Sequence, residues 1–475
     1  MCFGIKVHYH RSVLSGLKIE AKVGVIFLPG KIKEMINEII NERSKGNPAI
    51  SEMTIAKLIL KGINPNKFNN NSPDDIEIIE KLIKIAKQLN VKCFDNKGVN
   101  IKSSFSTKYI EEEVVIDIKN QLNIKDIRLI VFFASSNFNQ QKLSKLMKEA
   151  FKECIIVGCS TAGELTNEHM LKNSVVAMAI NSNIISDIKV EVIKNIKEDL
   201  NLENTFTSFE NYFNESLYNM DTKKYIGMTL IDGLSMKEEK IMDLIGNRTN
   251  VLFVGGSAGD DNKFLRTFVS ANGNAYTDAA VLILLKVNDN AEFGIIKTQS
   301  FEALDYTFIA NKVNEEKREV IELNNRPAIV EYAKAVNASS IDDVSKYFMT
   351  NPLGLIAGES DIYVRGPQQV VGTSLSFYCN ILKGMEVKLL KSTNIIEDTK
   401  KVIEKKLNEF KRLDGIINFQ CTHRALELER KNLVKEYADI FKDIPTIGFS
   451  GYGEQFIGHM NHTSAMIVFK SKLAI

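Results

Sequence analysis

The chain has 475 residues, 44% of them hydrophobic, so it can bury more than one core and we expect two or three domains. Its 61 basic and 59 acidic residues nearly cancel, which argues against a general affinity for nucleic acid or for an anionic membrane. No apolar run approaches the roughly 20 residues that span a bilayer, and the first residues lack the apolar core of a signal peptide. The six cysteines show no C-x-x-C pair. Together these observations predict a cytoplasmic protein without membrane insertion.

The first 100 residues predict a small accessory module of three amphipathic helices. KIKEMINEIINERSKGN has helical spacing of apolar residues and ends at Gly46. SEMTIAKLILKG offers Ser51 as the N-cap and Gly62 as the stop, and SPDDIEIIEKLIKIAKQLN offers Ser72 as the N-cap. We expect the apolar faces of these helices to pack against each other or against the domain that follows.

From about residue 126 the pattern changes to strand–helix–strand units. The first unit consists of RLIVFFA (128–134), a helix over NQQKLSKLMKEAF, CIIVG (154–158) and SVVAMAI (174–180). The last unit repeats this order with GIINFQC (415–421), a helix from 425 to 441, PTIG (445–448) and SAMIVFK. A looser middle version consists of YIGMTLID (225–232), SMKEEKIMDLIG, VLFVG (251–255) and AAVLILLK (279–286). Residues 352–391 alternate like antiparallel strands.

These elements predict an α/β (mixed α+β) fold with two similar lobes of mixed sheets flanked by helices, besides the N-terminal helical module. The similarity is direct in one segment. FKECIIVGCSTAGELTNEHM (151–170) aligns without a gap on FKDIPTIGFSGYGEQFIGHM (441–460), and both contain G-x-S-x-x-G-E. A match of this kind indicates an internal duplication, so the duplicated loop is the first candidate for function.

The duplicated loop has residue types that suit a small polar ligand. Glycines let the backbone approach a ligand, free N–H groups form an anion site, and a glutamate accepts a cation. Together they would suit a zwitterion such as an amino acid. The alternative is that the glycines shape the turn while the glutamates cap nearby backbone, and the residues alone leave both open. The candidate residues are Gly158, Ser160, Gly163 and Glu164 in the first copy and Gly448, Ser450, Gly453 and Glu454 in the second.

The middle unit carries a third version of this loop. Its G-x-S-x-G around Ser257 matches the nucleophile elbow of serine hydrolases, but turn residues follow it where the elbow requires a helix, which disfavours hydrolysis. We therefore assign Gly256, Ser257 and Asp260 to the same ligand-binding set. Arg365 is a candidate partner for a ligand carboxylate. Tyr452 is a candidate for the apolar wall of a pocket.

Three histidines near the C-terminus support an alternative site. His423, His459 and His462 could ligate a metal or a haem iron, since histidine is a common axial ligand. The H-x-x-H spacing stands on a loop without paired cysteines, so it does not match a zinc motif. A histidine bonded to a loop carbonyl is the competing interpretation, and no metal is assigned.

Several motifs together resemble the FIST sensory domain, with its N-terminal part before its C-terminal part. They are IVGCSTAGEL, FVGGSAGDD, NNRPAIVEY, NPLGL with YVRGP, FQCTHR, and IGFSGYGEQ with HMNHTSAMIVF. The resemblance covers about residues 126–475. It gives the expected domains as an accessory module over 1–100, a FIST N-terminal-like domain over 101–323 and a FIST C-terminal-like domain over 324–475.

The resemblance implies a non-catalytic, intracellular signal-input module of bacteria or archaea. Such domains are thought to bind small ligands, usually amino acids, and we expect the ligand between the two lobes. The signal would pass to a partner such as a kinase, a cyclase or a chemoreceptor. Some members are haem proteins that sense nitric oxide and act on a kinase, which is the alternative function. The family's closing His-Asn-Gln-Thr is here Asn461-His462-Thr463, so the resemblance assigns no single haem ligand.

Overall fold

The computed structural model describes residues 30–472, apart from 70, 71, 74, 90, 92–98, 359 and 360. The chain divides into two compact units, Met1–Gly98 and Val99–Ile475. None of the helices described combines the length and the apolarity that a bilayer crossing requires. The described cysteines, Cys154, Cys159, Cys379 and Cys421, are buried free thiols, while Cys2 and Cys93 lie outside the described residues.

The first unit contains the predicted helices, α1 (Lys31–Ser44), α2 (Pro48–Leu60) and α3 (Ile76–Gln88). They share a core that includes Ile36, Leu58 and Leu82, all with no exposed surface. Their apolar faces therefore cover each other, as helical spacing of apolar residues predicts.

Two of the predicted helix caps in the first unit are wrong. The side chain of Asn47, not that of Ser51, accepts the first free N–H groups of α2, and Ser51 lies inside the helix. The reason is that proline is compatible with the first helical position. The helix therefore begins at Pro48, and the residue before it, Asn47, is the cap. At α3 the side chain of Asp75 accepts from the N–H groups of the first turn, whereas Ser72 accepts from Asn69.

The second unit contains the remaining elements. Its helices are α4 (Glu111–Gln121), α5 (Gln140–Ala150), α6 (Glu203–Phe213), α7 (Glu238–Arg248), α8 (Ala328–Ala335), α9 (Ile395–Phe410), α10 (Thr422–Arg430) and α11 (Val434–Asp439). Its strands up to the middle of the chain are β1 (Ile101–Ser106), β2 (Ile127–Ser135), β3 (Ile155–Thr161), β4 (Glu164–Thr166), β5 (Met170–Leu171), β6 (Val175–Asn181), β7 (Ile185–Lys194), β8 (Tyr225–Ile231), β9 (Phe253–Ser257), β10 (Val269–Ala271), β11 (Asn274–Tyr276), β12 (Ala279–Val287) and β13 (Ala291–Gln299). The later strands are β14 (Phe301–Asn314), β15 (Glu319–Leu323), β16 (Arg326–Pro327), β17 (Leu353–Ala357), β18 (Asp361–Arg365), β19 (Pro367–Val371), β20 (Ser374–Phe377), β21 (Glu386–Ser392), β22 (Gly415–Cys421), β23 (Thr446–Gly451), β24 (Glu454–Phe456), β25 (Gly458–Met460) and β26 (Thr463–Ser471).

Three six-stranded sheets repeat one topology. Their strand orders are β1-β6-β2-β3-β10-β11, β7-β12-β8-β9-β24-β25 and β13-β26-β22-β23-β4-β5. In each, two parallel strands joined by a crossover that contains helix lie beside a third, antiparallel strand. The predicted α/β class with mixed sheets is confirmed. The number of similar units is three rather than two, because the middle unit is a full copy of the same arrangement.

Each repeat gives its short hairpin to the sheet of another repeat. β4 of the first repeat pairs with β23 of the third, β24 of the third pairs with β9 of the second, and β10 of the second pairs with β3 of the first. The exchange closes on itself. Where two similar lobes were expected, the second unit therefore contains three interlaced repeats.

The sheets enclose a common core. The rings of Phe133, Phe419 and Phe449, from two of the repeats, pack with centroids 4.6–6.2 Å apart. A further antiparallel sheet, ordered β18-β17-β21-β14-β15-β20-β19, includes the strands predicted over 352–391. The helix predicted from 425 to 441 is instead α10 and α11. Asn432 between them adopts a left-handed conformation (φ 55°), which a continuous helix does not allow.

Candidate functional site

The three G-x-S loops meet at the centre of the second unit and bind each other. In each loop the serine carbonyl accepts a hydrogen bond from the N–H two residues after the serine of another loop. These bonds join Gly259 to Ser160 (2.9 Å), Tyr452 to Ser257 (3.1 Å) and Ala162 to Ser450 (2.8 Å). We call this closed set the loop ring. Because its N–H groups already have carbonyl partners, they do not form the anion site predicted from the sequence.

Glu164 and Glu454 cap backbone inside the protein. The Glu164 carboxyl accepts from the Ser174 N–H (3.2 Å) and hydroxyl (2.6 Å) and from the Thr161 hydroxyl. Glu454 accepts from the Thr463 N–H (3.2 Å) and hydroxyl (2.5 Å). Burial raises the pKa of Glu164 to about 7 and that of Glu454 well above its ordinary value. Of the two interpretations left open by the sequence, this geometry corresponds to capping.

The loop glycines are required by close packing. A Cβ at Gly158 would overlap the carbonyl oxygen of Phe132 on the neighbouring parallel strand, and one at Gly448 would meet that of Asn418 at 2.5 Å. Three more glycines either adopt positive φ or contact a ring: Gly163 (φ 140°), Gly453 (φ 154°) and Gly256, where a Cβ would lie 2.7 Å from Phe449. These positions allow strands to approach each other and do not face a ligand cavity.

The loop serines are also enclosed. Ser160 donates to the Gly259 carbonyl (2.8 Å), and Ser450 is 4% exposed. Ser257 donates to Glu238 (3.2 Å) and accepts from Gln455 (2.9 Å), with no exposed surface. Since Ser257 ends β9 and a turn follows it, the chain here lacks the strand–turn–helix of a nucleophile elbow.

A cavity of about 170 Å³ lies beside the loop ring. Its lining residues are Asn262, Phe264, Tyr378, Thr422, His423, Leu426 and Tyr452. Tyr452 was predicted as a pocket wall, and His423 belonged to the alternative haem set. The other predicted site residues lie outside this lining. Within the part of the chain that the structure describes, this cavity offers a small molecule room beside the loop ring.

One wall of the cavity is a strained loop over residues 260–266. Asp261, Asn262 and Phe264 have left-handed φ values of 56°, 59° and 53°. Asp and Asn tolerate this conformation, whereas it costs a bulky residue such as phenylalanine about 1–3 kcal/mol. Phe264 and Leu265 are 47% and 80% exposed. The run of Asp and Asn after Gly259 was the available sequence signal for this turn.

Asp260 anchors this loop and does not line the cavity. Its carboxylate accepts from the N–H groups of Phe264 (2.9 Å), Leu265 (2.7 Å) and Arg266 (2.9 Å), and from the Tyr452 hydroxyl. The Phe264 ring stacks on the Tyr452 ring at 4.8 Å. Asp260, which was predicted to contact a ligand, instead bonds to Tyr452, which lines the cavity.

Two further lining residues, His423 and Tyr378, are aromatic rings without formal charge. The ring centroids of Tyr378 and His423 lie 4.7 Å apart in an edge-to-face arrangement, and His423 stacks with centroids 4.4 Å apart on His462, which is outside the lining. Burial lowers the pKa of His423 to about 4 and that of His462 well below its ordinary value, so both imidazoles are neutral near pH 7. Asn262 and Thr422, which bond to each other at 3.2 Å, supply the neutral polar groups of the lining.

The histidines do not fit a haem. His423 and His462 cover each other's faces, and the cavity beside them is smaller than the roughly 300 Å³ at which pockets for drug-sized ligands begin. His459 lies on β25 with 1% exposure, and a Cβ at Gly453 would overlap its ring. A macrocycle at any of the three would require the surrounding strands to separate.

Arg365 does not reach the cavity either. Its guanidinium donates to the main-chain carbonyls of Asn380 (2.9 Å), Val364 (3.2 Å) and His459 (3.3 Å). The predicted carboxylate partner is therefore engaged in joining β18 to β25.

Comparisons with known proteins match two successive segments of the chain. A model of the FIST N domain matches residues 128–326, and a model of the FIST C domain matches residues 328–457. An uncharacterized protein of Methanocaldococcus jannaschii is 23% identical over 362 residues, which cover 70% of this chain and 69% of that protein. The cavity takes Asn262 and Phe264 from the first matched segment and its remaining lining residues from the second.

Proposed function

Because the chain belongs to the FIST family, whose domains are associated with sensing in signal transduction, we propose that it is a cytoplasmic sensor that binds a small molecule in the cavity beside Tyr452 and His423. The observation that supports this proposal is the composition of the cavity, which is lined from both matched segments. A ligand that contacts both matched segments stabilises one placement of these segments relative to each other. The resulting shift in conformational populations is the proposed signal.

The size and lining of the cavity define the ligand class. A cavity of about 150 Å³ accommodates benzene, so about 170 Å³ suits a single-ring molecule. Phe264, Tyr378 and Tyr452 offer ring faces and edges, and Asn262 and Thr422 offer neutral hydrogen-bonding groups. A planar, uncharged molecule with one or two polar atoms matches this lining best. An amino acid, the ligand expected from the sequence, would find no formally charged partner among the lining residues.

The 260–266 loop is the proposed output element. A ligand that touches Phe264 and Asn262 changes the free energy of a loop that is already strained, and the exposed Leu265 would report that change on the surface. The receiver would be a partner protein such as a kinase, a cyclase or a chemoreceptor. Asp260 couples the loop to Tyr452, so a change in the loop also reaches this second lining residue.

Calorimetric titration with phenol, imidazole, indole, glycine and alanine tests the proposal. Leu426→Trp should fill the cavity and abolish the binding heat, whereas Leu382→Trp, at a 39% exposed leucine outside the lining, should leave it unchanged. We expect heat from a single-ring compound. Heat from glycine or alanine that Leu426→Trp removes would support the sensor but identify an amino acid. Absence of heat with every compound, or equal heat in the Leu426→Trp variant, would refute the site.

A further inference from the structure

A second cluster of polar side chains lies outside the cavity lining. Glu239, Cys379 and His459 each offer one ligand atom, and these three atoms all lie within 4.8 Å of one another. Glu239 is on α7 in the first matched segment, Cys379 follows β20 in the second, and His459 is on β25. Cys379 and His459 are buried, with 0% and 1% exposure. A carboxylate, a thiol and an imidazole are the ligand types that zinc uses.

His459 carries a buried nitrogen that needs a partner. Among the described residues its Nε2 has no hydrogen-bond partner, while its Nδ1 lies 3.2 Å from the side-chain amide of Gln455. The Gln455 Oε1 atom also lacks a partner. A cation on Nε2 requires the tautomer with a proton on Nδ1, and the Gln455 side chain would then be turned so that Oε1 accepts from Nδ1–H and the Ser257 hydroxyl donates to Oε1 instead of accepting from the amide. In metal-bound histidines the ring nitrogen that does not bind the metal typically donates a hydrogen bond to a nearby acceptor.

Glu239 and Cys379 retain capacity for a cation. One oxygen of Glu239 accepts from the Asn380 N–H (2.8 Å) and the other from Arg318 (2.5 Å), and each carboxylate oxygen has two lone pairs. The Cys379 thiol donates to the Asn461 side-chain oxygen. Coordination would release the thiol proton to solvent and leave a thiolate, so binding is accompanied by proton release.

The charged side chains around the cluster do not supply a positive charge for a Cys379 thiolate. Arg318 is 8% exposed and pairs with Glu238 (2.7 Å) as well as Glu239, and the Arg365 guanidinium donates to the His459 carbonyl. Two carboxylates and two guanidiniums compensate each other. A thiolate beside them would be one buried negative charge, which attracts a divalent cation and leaves a single positive charge once the cation is bound.

We propose that Glu239, Cys379 and His459 form a binding site for a zinc-class divalent cation, with a fourth position open to water or to the nearby Asn461 oxygen. This site is separate from the ligand cavity. Because its ligands come from both matched segments, a bound cation would hold α7 against β25.

Cobalt binding to the full-length protein tests this site. After dialysis against a chelator, the wild type titrated with Co²⁺ should show a thiolate-to-cobalt charge-transfer band that saturates at one equivalent. Cys379→Ser should lose the band, and Cys421→Ser, at another buried thiol outside the cluster, should keep it. A folded wild type without the band would overturn the proposal, as would a band lost only in Cys421→Ser.

Glu239→Gln provides a second variant that keeps the buried thiol and histidine. Competition between Co²⁺ and Zn²⁺ should show affinity weakened at least about 10-fold in this variant, since even indirect partners of a metal affect affinity by this factor. Glu302→Gln, at an exposed glutamate, is the control. Equal affinity in the wild type and in Glu239→Gln would overturn the assignment of the carboxylate and with it the three-ligand site.

Discussion

The substitution Glu164→Gln distinguishes a buried cap from a ligand-binding carboxylate. Glu164 is 2% exposed, and three donor groups of Ser174 and Thr161 face its oxygens. The hydrogen bonds favour the ionised form, but burial outweighs them and raises the pKa from 4.5 to about 7. Glutamine has nearly the same shape as glutamate but does not titrate. The substitution therefore removes the protonation equilibrium at this position and keeps most of the packing.

The sign and size of the effect follow from linkage. Because the folded pKa of Glu164 lies above the unfolded value, the folded state binds more protons between pH 4.5 and about 7. Its contribution to stability is fully present below about pH 4.5 and is lost as the pH rises through 7. At about 1.36 kcal/mol per pH unit, the unfolding free energy of the wild type relative to Glu164→Gln should fall by about 3 kcal/mol over this window.

Urea unfolding followed by circular dichroism at a series of pH values measures this difference. Glu198→Gln, at an exposed glutamate of the same unit, serves as the surface control. A pH-independent difference between the wild type and Glu164→Gln would refute the reasoning, as would one that grows with pH. The first result would mean that the hydrogen-bond donors offset the effect of burial on the pKa, and the second that they outweigh it.

Further predictions concern one residue each. Asn47→Ala should destabilise the first unit by about 1 kcal/mol in thermal unfolding, and Ser51→Ala by much less; the reverse order would contradict the cap assignment. His423 has its pKa lowered to about 4, so its contribution is present above about pH 6.5 and is lost as the pH falls toward 4. His423→Asn should flatten that decline in the melting temperature, and an unchanged slope would contradict its burial as a neutral group. Gly158→Ala should destabilise the chain by about 1–3 kcal/mol in urea, whereas Gly246→Ala, in an open position of α7, should be neutral or stabilising; similar effects at both would refute the packing argument.

The sequence predicted local elements well where an apolar run is buried along its whole length. The strand over 415–421 has the predicted bounds, because GIINFQC is buried along its whole length and a helix follows directly. The long strand β14 and the helix α9 were not predicted. In β14 the half-buried pattern is interrupted by register shifts against its neighbours, which weakens the alternation.

The site was less predictable because it depends on pairing between distant segments. The role of Glu164 was ambiguous in the sequence, since capping and ligand contact use the same residue type. Burial decides between them, and this burial arises when β4 pairs with β23 from the other end of the second unit. Tyr452 was identified as a wall, but Phe264 was not, because a turn gives no indication of which ring it will stack on.

Because of the closed exchange of hairpins, a cut between any two of the three repeats separates strands that pair in one sheet. A fragment that ends near residue 326 would keep β9 but lose β24, its neighbour in the sheet. The freed edge of β9 would offer unpaired N–H and C=O groups to any other chain, and such edges promote aggregation. The two matched family segments are thus successive in the polypeptide but share one indivisible body, and neither should be stable in isolation.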